Sequence, residues 1–288
     1  MVTIKEAAAL TGVSEYTLRA WEDRYGVIAP QRTPSGYRIY SDADLDQVKT
    51  MASLITAGLA PRAAAAETAR RHQLGSVEDP FAELIAAAAT LDARRLSAEL
   101  GRRFTSYDFE VLVRLWLMPA MKRLGEEWRE GNLGVASEHL VAAQVMRRLS
   151  AAYDQATPKP AAVQILIGAP PGVDHQLGIF AFAVACRRLG LNTTYLGGQL
   201  PTSAWSDAAE RARPDAIVTT IPRLRDAPKV ALLAAQLRST GIPLWVGGRH
   251  QQSATEPARQ LGHDIPDAAV QLDRATRIAA SASEKTRL

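Results

Sequence analysis

One histidine, His175, lies in a stretch that could place a metal ligand at the edge of a sheet. Residues 162–167 form a short apolar run with β-branched members, as in a buried strand, and residues 176–189 follow helical spacing. Open α/β sheets bind their ligands on loops at the carboxyl ends of strands, and imidazole is a common metal ligand. We therefore predict that His175 binds a metal. A solvated or capping histidine is the alternative that this loop alone leaves open.

Composition limits the class of protein. The 288 residues suffice for two or three domains, each with its own core, and the net charge of +4 permits an anionic partner. Cys186 is the one cysteine, which excludes a disulfide framework and favours a reducing compartment. No apolar run approaches the roughly 20 residues that cross a bilayer. We expect a cytoplasmic protein without a membrane partner.

The first 75 residues have the pattern of a helix-turn-helix followed by a hairpin. Gly12 separates two short helical runs, and Ser14 has the position of an N-cap for the second, residues 15–25. This second helix carries donors suited to phosphates and base edges: Tyr16, Thr17, Arg19 and Arg24. Residues 32–40 predict a hairpin with a Pro-Ser-Gly turn, which would make a winged helix. Two more predicted helices follow: residues 45–57 and 62–71.

By composition alone, an ordinary helical subdomain with solvated charges would also fit. The string at residues 13–26 is more specific: Val-Ser-x-x-Thr-Leu-Arg-x-Trp-Glu-x-Arg-Tyr-Gly, with Arg-x-Tyr-Ser following at residues 38–41. It resembles the MerR family of transcription regulators, which implies a dimeric or larger DNA-binding protein. The contacts that the resemblance implies are Thr17 and Arg19 in the major groove and Arg38 and Tyr40 on the DNA backbone, with Tyr25 in the same DNA-binding set.

Residues 78–155 predict a helical bundle. The region is rich in Ala, Leu, Arg and Glu, with apolar residues three and four positions apart and few strand signals. Four helices fit, with Pro119 as a kink or break in the third: residues 81–91, 93–103, 107–130 and 135–153. MerR dimers usually continue into a long helix and an effector site, often of cysteines. Neither follows here, so we expect the sensing function within residues 76–288.

Trp128 closes the third predicted helix, and Glu138-His139 lies at the start of the fourth. By spacing alone, a core tryptophan and a pair at a helix start, where carboxylates are favoured, is the simpler explanation. The spacing nevertheless resembles the helical cap of cobalamin-binding photoreceptor regulators of the CarH and LitR type. That resemblance implies four residues that cover the upper face of adenosylcobalamin and hold its adenosyl group: Trp128, Val135, Glu138 and His139. Arg129 stands where some of these relatives have a second histidine, so the role of that histidine is not expected here.

Strand and helix patterns alternate through residues 160–288, which predicts a doubly wound parallel sheet with a flavodoxin-like order. The predicted strands are residues 163–167, 192–196, 216–220, 244–246 and 263–265. The predicted helices are residues 176–189, 203–213, 229–240 and 255–261. The predicted fold class is multidomain α and α/β: a winged helix-turn-helix at residues 1–75, a four-helix-bundle cap at residues 78–155 and this sheet domain at residues 160–288.

Three loops of this sheet resemble the cobalamin-binding module of methionine synthase, whose signature is Asp-x-His-x-x-Gly, then Ser-x-Leu, then Gly-Gly. The matching residues are His175 and Gly178, then Thr220, then Gly247 and Gly248. The resemblance implies that His175 is the lower cobalt ligand and that the hydroxyl and the glycines accommodate the nucleotide tail. Val173 replaces the acidic residue and leaves Asp174 one position away, so the carboxylate that orients the imidazole is displaced. Thr220-Ile221-Pro222 keeps the hydroxyl but not the leucine.

Together these features predict a cobalamin-dependent, light-responsive transcription repressor that is not an enzyme. Its adenosylcobalamin is expected to control assembly into a dimer or tetramer and binding to double-stranded operator DNA. Two alternatives remain. One is a corrinoid protein that serves as a methyltransferase subunit, and the other is a MerR-type regulator that lost cobalamin and senses another ligand.

Overall fold

The computed structural model describes residues 1–33, 36–73, 79–159 and 162–287. The chain folds as two compact units, residues 1–82 and residues 83–288. Within the described ranges, none of the helices combines the length and the apolar character needed to cross a bilayer.

The first unit begins with the predicted helix-turn-helix. Helix α1 (Ile4–Thr11) ends at Gly12, whose φ of 71° is the left-handed conformation that glycine adopts without strain. Helix α2 (Glu15–Tyr25) begins where the Ser14 hydroxyl accepts a hydrogen bond from the Thr17 amide at 3.1 Å. The predicted N-cap is therefore confirmed.

A small antiparallel sheet and two more helices complete this unit. The strands pair in the order β1-β3-β2: β1 (Val2–Thr3), β2 (Gln31–Arg32) and β3 (Arg38–Tyr40). The predicted hairpin is present, while Pro34 and Ser35 of its predicted turn lie outside the described residues. The remaining helices are α3 (Asp42–Thr56), which begins with a capping box at Ser41, and α4 (Pro61–Gln73).

The second unit starts with a helical segment. Its α-helices are α5 (Ala82–Ala89), α6 (Ala93–Ser106), α7 (Phe109–Leu112), α8 (Met118–Arg129) and α9 (Val135–Gln155). A π-helical turn, Val113–Leu117, separates α7 from α8, and Pro119 lies in the first turn of α8. The backbone stays helical from α7 through this turn into α8, and the Met118 amide donates to the Val113 carbonyl. The chain therefore remains helical past Pro119, and the irregularity predicted there as a kink or break is the π-helical turn just before the proline.

A five-stranded parallel sheet follows, with the order β5-β4-β6-β7-β8. The strands are β4 (Gln164–Ile167), β5 (Asn192–Tyr195), β6 (Ala216–Thr220), β7 (Leu244–Gly247) and β8 (Arg259–Gln260). The helices around it are α10 (Leu177–Arg188), α11 (Thr202–Ala212), α12 (Ala227–Leu237) and α13 (Ile265–Arg287). This is the predicted flavodoxin-like order. Cys186 is fully buried on α10, and burial raises the pKa of its thiol well above the usual value.

Two predicted elements near the end of the chain are wrong. Residues 255–261 are not a helix, since Pro257 has no N–H to donate inside one, and β8 lies there instead. Residues 263–265 are not a strand. Asp264 instead caps α13, where its carboxylate accepts a hydrogen bond from the Asp267 amide at 2.9 Å.

The helical segment packs on the sheet segment through polar and aromatic contacts. Arg114, on the π-helical turn, donates to Asp264 at 2.7 Å and to Asp267 at 2.6 Å at the start of α13. The Tyr153 hydroxyl, near the end of α9, donates to the Thr193 carbonyl of β5. The guanidinium of Arg187 lies 4.3 Å from the centroid of the Tyr153 ring. These contacts join the five helices to the sheet as one unit.

Candidate functional site

The exposed face of α2 carries the residues that are expected to contact DNA bases. The Arg19 side chain is 53% exposed and has a 3.4 Å ion pair with Glu15. The Thr17 hydroxyl lies 2.8 Å from the Ser14 hydroxyl at the N-cap, and Tyr25 is half-buried at the end of the helix. An exposed surface ion pair is weak. Arg19 can therefore leave Glu15 for a phosphate or a base edge.

Glu22 joins α2 to both strands of the hairpin. Its carboxylate accepts a hydrogen bond from Arg38 Nε at 2.6 Å and one from Arg32 Nη2 at 3.4 Å. The hydrogen bond with Glu22 raises the pKa of Arg38. The guanidinium of Arg38 is thus held beside α2, with part of its positive charge balanced by Glu22.

Tyr40 does not have the position expected of a residue on the DNA backbone. Its side chain is fully buried, and its hydroxyl has no hydrogen-bond partner among the described residues. Burial raises the pKa of this phenol. A hydroxyl enclosed by protein does not reach a phosphate, so the position of Tyr40 does not support the DNA contact that was predicted for it. The ring instead anchors β3 to the core.

His175 lies on the loop between β4 and α10, at the carboxyl edge of the sheet. Its side chain is exposed, and its ring nitrogens make no hydrogen bond within the part of the chain that the structure describes. Val173, at the position that would be acidic, is fully buried, and the Asp174 carboxylate accepts a hydrogen bond from the Gln199 amide. The imidazole is therefore free to bind a metal, and the neighbouring carboxylate is engaged elsewhere.

The loop after β5 supports the His175 loop from one side. The Tyr195 hydroxyl donates to Gln176 Oε1 at 3.3 Å, and burial raises the pKa of Tyr195 to about 12. The Gln176 side chain covers Gly198, where an added Cβ would lie 2.5 Å from Gln176 Nε2. A side chain at residue 198 would displace Gln176, so glycine is needed for this close contact.

The loops after β6 and β7 meet at Thr220 and the glycine pair. The Gly247 carbonyl accepts the Ile221 amide at 2.9 Å. A Cβ at Gly248, whose φ is 94°, would lie 2.6 Å from Thr220 Oγ1. Only glycine allows these loops to approach so closely. Thr219, next to Thr220 on β6, is fully buried, and its hydroxyl has no partner in the described ranges.

A buried carboxylate lies beside the His175 loop. Asp226 is fully buried and accepts hydrogen bonds from Arg223 Nε at 3.0 Å and Lys229 Nζ at 3.3 Å. Burial alone would raise the pKa of Asp226, but the hydrogen bonds from the two cations outweigh it and lower that pKa. Arg223 Nη2 also donates to the Gly172 carbonyl at 3.2 Å. The sequence signal for this cluster is the spacing Arg-x-x-Asp-x-x-Lys, which sequence reasoning missed.

The residues expected in the helical cap share the turn between α8 and α9. All four are exposed, with Trp128 at 47% and Val135 at 58%: Trp128, Val135, Glu138 and His139. Glu127 fixes this turn, because its carbonyl accepts the Asn132 amide at 2.9 Å and its carboxylate accepts Asn132 Nδ2 at 2.6 Å. These side chains are therefore held at one end of the helical segment with their surfaces open.

The helix that ends near Trp128 begins beside the His175 loop. A Cβ at Gly178, on the first turn of α10, would lie in ordinary contact with Met118, the first residue of α8, at 3.8 Å. The residues present suit a corrinoid: a free imidazole at the sheet edge, a buried hydroxyl without a partner in the described residues, and an exposed indole. Imidazole is a suitable donor to cobalt, and an unused buried hydroxyl is a group that a ligand can satisfy.

Comparison with known proteins matches two regions of the chain. Residues 2–69 match the MerR HTH family regulatory proteins, and residues 80–153 match the B12 binding domain. The chain is 33% identical to the HTH-type transcriptional repressor CarH of Myxococcus xanthus over 271 residues, which cover 87% of this chain and 89% of the relative. It is 30% identical to the repressor CarA of the same organism over 278 residues, covering 93% and 94%.

A solved corrinoid protein shares the fold of a large part of this chain. The monomethylamine corrinoid protein of Methanosarcina barkeri has a TM-score of 0.55, is 13% identical, and covers 69% of this chain and 100% of that one. The matches define a DNA-binding regulator with a B12 binding domain. The chain belongs to the MerR-type transcriptional regulators that include CarH and CarA, and is a regulator rather than an enzyme. The predicted family is thereby confirmed.

Proposed function

We propose that this chain is a light-responsive transcriptional repressor in which adenosylcobalamin controls assembly into a dimer or tetramer and binding to double-stranded operator DNA. The observation that carries the proposal is the exposed, free imidazole of His175 at the carboxyl edge of the sheet. Both relatives from Myxococcus xanthus are named transcriptional repressors, which supports repression as the output. We assign DNA reading to residues 1–75, the cap to residues 78–155 and the cofactor domain to residues 160–288.

Each group of site residues has a separate part in this proposal. His175 would bind the cobalt, and four residues at the sheet edge would hold the nucleotide tail: Gly178, Thr220, Gly247 and Gly248. Four residues of the cap would hold the adenosyl group: Trp128, Val135, Glu138 and His139. Bound adenosylcobalamin supplies a cobalt–carbon bond that light can break. The protein must bind this cofactor more tightly when assembled than as separate protomers, because a ligand with equal affinity for both states shifts nothing.

DNA reading is assigned to the first unit. Thr17 and Arg19 are assigned to the bases and Arg38 to the DNA backbone, and Tyr25 belongs to the same DNA-binding set. Tyr40 is left out of this set because it is buried.

The test is reconstitution in darkness. Purified protein is loaded with adenosylcobalamin, and its absorption spectrum, elution volume and operator binding are measured before and after green light. We expect a larger, DNA-binding assembly in the dark and a smaller one after illumination. If the elution volume changes neither on addition of cofactor nor on illumination, the proposed control of assembly is contradicted. Methyl transfer from methylcobalamin by the protein alone would favour the methyltransferase alternative.

The lower ligand is tested by one substitution and a matched control. His175→Ala should retain less cobalamin and lose the spectral signature of a protein imidazole on cobalt. His250→Ala removes another histidine near the same edge of the sheet and should keep that signature. If the His175→Ala spectrum equals that of the parent protein, His175 is not the ligand.

A further inference from the structure

The loop that carries His175 is hydrogen-bonded to the segment that precedes α12. Asp226, just before α12, holds Arg223 through Nε at 3.0 Å, and Arg223 reaches the Gly172 carbonyl through Nη2 at 3.2 Å. Gly172 precedes His175 by three positions in the same loop. One guanidinium thus bridges a fully buried carboxylate and the backbone of the loop that presents the imidazole.

Burial fixes the carboxylate end of this bridge, while Arg223 is 28% exposed and its hydrogen bond to Gly172 lies at the surface. A carboxylate enclosed by protein is strongly destabilising unless it is paired, so Asp226 holds its two cations in fixed positions. The planar fork of arginine offers parallel donors, which lets Arg223 serve two acceptors at once. Lys229 completes the cluster, since a Cβ at Gly172 would lie 2.8 Å from Lys229 Nζ. The φ of 67° at Gly172 also requires glycine, so the loop backbone is fitted to this cluster.

The other side of the loop is held independently. Asp174 is bonded to Gln199, and Val173 between these anchors is fully buried. The backbone just before His175 is therefore held at two points, through the Gly172 carbonyl and through the Asp174 side chain. In a site of this kind, a carboxylate bonded to the imidazole would ordinarily set its orientation. Here the loop itself is fixed instead.

We propose that Asp226, acting through Arg223, is the positioning residue for His175: it fixes the loop backbone and so directs the imidazole towards cobalt. This inference rests on the proposed cobalamin function. Asp226 and Arg223 do not touch the metal in this scheme, and they act only through the Gly172 carbonyl.

The first test uses the full-length protein without cofactor. Asp226→Asn removes the buried charge, and Arg223→Gln removes the bridge while leaving Asp226 paired with Lys229. The control, Asp207→Asn, breaks an exposed ion pair of 2.9 Å with Arg211 on α11. Hydrogen–deuterium exchange of a peptide spanning residues 169–178 should be faster in both test variants and unchanged in the control. Unchanged exchange in Arg223→Gln would overturn the proposal, even if Asp226→Asn proves too unstable to purify.

The second test measures cobalamin ligation in the same variants. Loss of a group that orients a metal ligand typically weakens metal affinity by about 10- to 100-fold, so we expect cobalamin retention to fall by about tenfold with a weaker imidazole signature. Asp207→Asn should match the parent protein. A faster-exchanging loop with full ligation would overturn the positioning role. If the parent protein itself shows no imidazole ligation, the proposed function fails, whereas the exchange experiment still decides whether Asp226 holds the loop.

Discussion

At the scale of single residues, Glu22 decides how much of the positive charge of the hairpin is available to DNA. It accepts hydrogen bonds from Arg38 and Arg32, which lie on the two strands of the hairpin. The same carboxylate therefore orients the hairpin and reduces its positive potential. Its two effects can be separated, because orientation contributes to stability whereas charge contributes to the salt dependence of DNA binding.

Glu22→Gln should make the salt dependence of duplex binding steeper, since each further phosphate contact adds about 0.9 to the slope of log K against log salt. It should also lower the free energy of unfolding by about 1 kcal/mol, because a partly exposed charged hydrogen bond is lost. The measurements are DNA binding over a salt series and thermal unfolding. Asp46→Asn, an exposed carboxylate on α3, makes the same charge change and should leave both unaltered. An unchanged slope in Glu22→Gln would show that the hairpin arginines do not contact phosphate.

Residue positions differ in how far the sequence predicts them. His175 could be placed at the sheet edge because the strand before it and the helix after it are both visible in local periodicity. Tyr40 was expected on the DNA backbone from the family resemblance, and its burial could not be predicted, because packing is not defined by a three-residue strand. Asp226 was missed because its importance comes from Arg223 meeting Gly172, which is 51 positions away. Contacts of that range follow only from the folded structure.

At the scale of elements, the π-helical turn contributes the residue that joins the helical segment to α13. Arg114 lies on this turn and binds the first turn of α13 through Asp264 and Asp267. Burial alone would raise the pKa of Asp264, but hydrogen bonds from Arg114 and from the Asp267 amide lower it overall. A carboxylate whose pKa is lowered by folding stabilises the fold above its unfolded pKa, about 3.9, and loses that contribution as pH falls through the folded pKa.

Arg114→Gln should therefore reduce the stability of the second unit by about 1–2 kcal/mol at neutral pH, after allowance for partial exposure to solvent. The difference from the parent protein should shrink as the pH is lowered below about 4. Urea unfolding at neutral pH and at a pH below about 4 measures this difference in the free energy of unfolding. Arg274→Gln removes an exposed arginine from the same helix α13 and should have little effect at either pH. A deficit of equal size at both pH values would show that the ion pair is not its cause.

At the scale of the whole molecule, the chain divides into two compact units, with the expected DNA residues in the first and the expected cofactor residues in the second. The placement of the expected DNA residues and the expected cofactor residues in different parts of the chain could be predicted, since each part has a sequence pattern of its own. Assembly into a dimer or tetramer was expected from the family resemblance alone and stays a prediction, because it depends on surfaces between copies of the chain, which no periodicity describes. Coupling between the units must then be tested by a change confined to one of them.

Arg19→Ala is such a change. The free energy of operator binding should become less favourable by about 1–3 kcal/mol, which is the usual contribution of a good base contact. Cobalamin uptake should remain that of the parent protein. Both are measured on one preparation, by DNA titration and by cobalamin absorbance after desalting. Loss of cobalamin uptake together with DNA binding would mean that the two units do not act as independent modules.

The burial of Cys186 gives the protein a practical property. Its thiol is enclosed in α10, and its raised pKa leaves little thiolate at neutral pH. Thiol-directed reagents should therefore react little with the natural chain. One cysteine introduced at an exposed position away from the expected site residues, such as Leu232→Cys on α12, would be the single reactive group. A fluorophore attached there would test the proposed association of protomers in real time, without removal of any native side chain from the core.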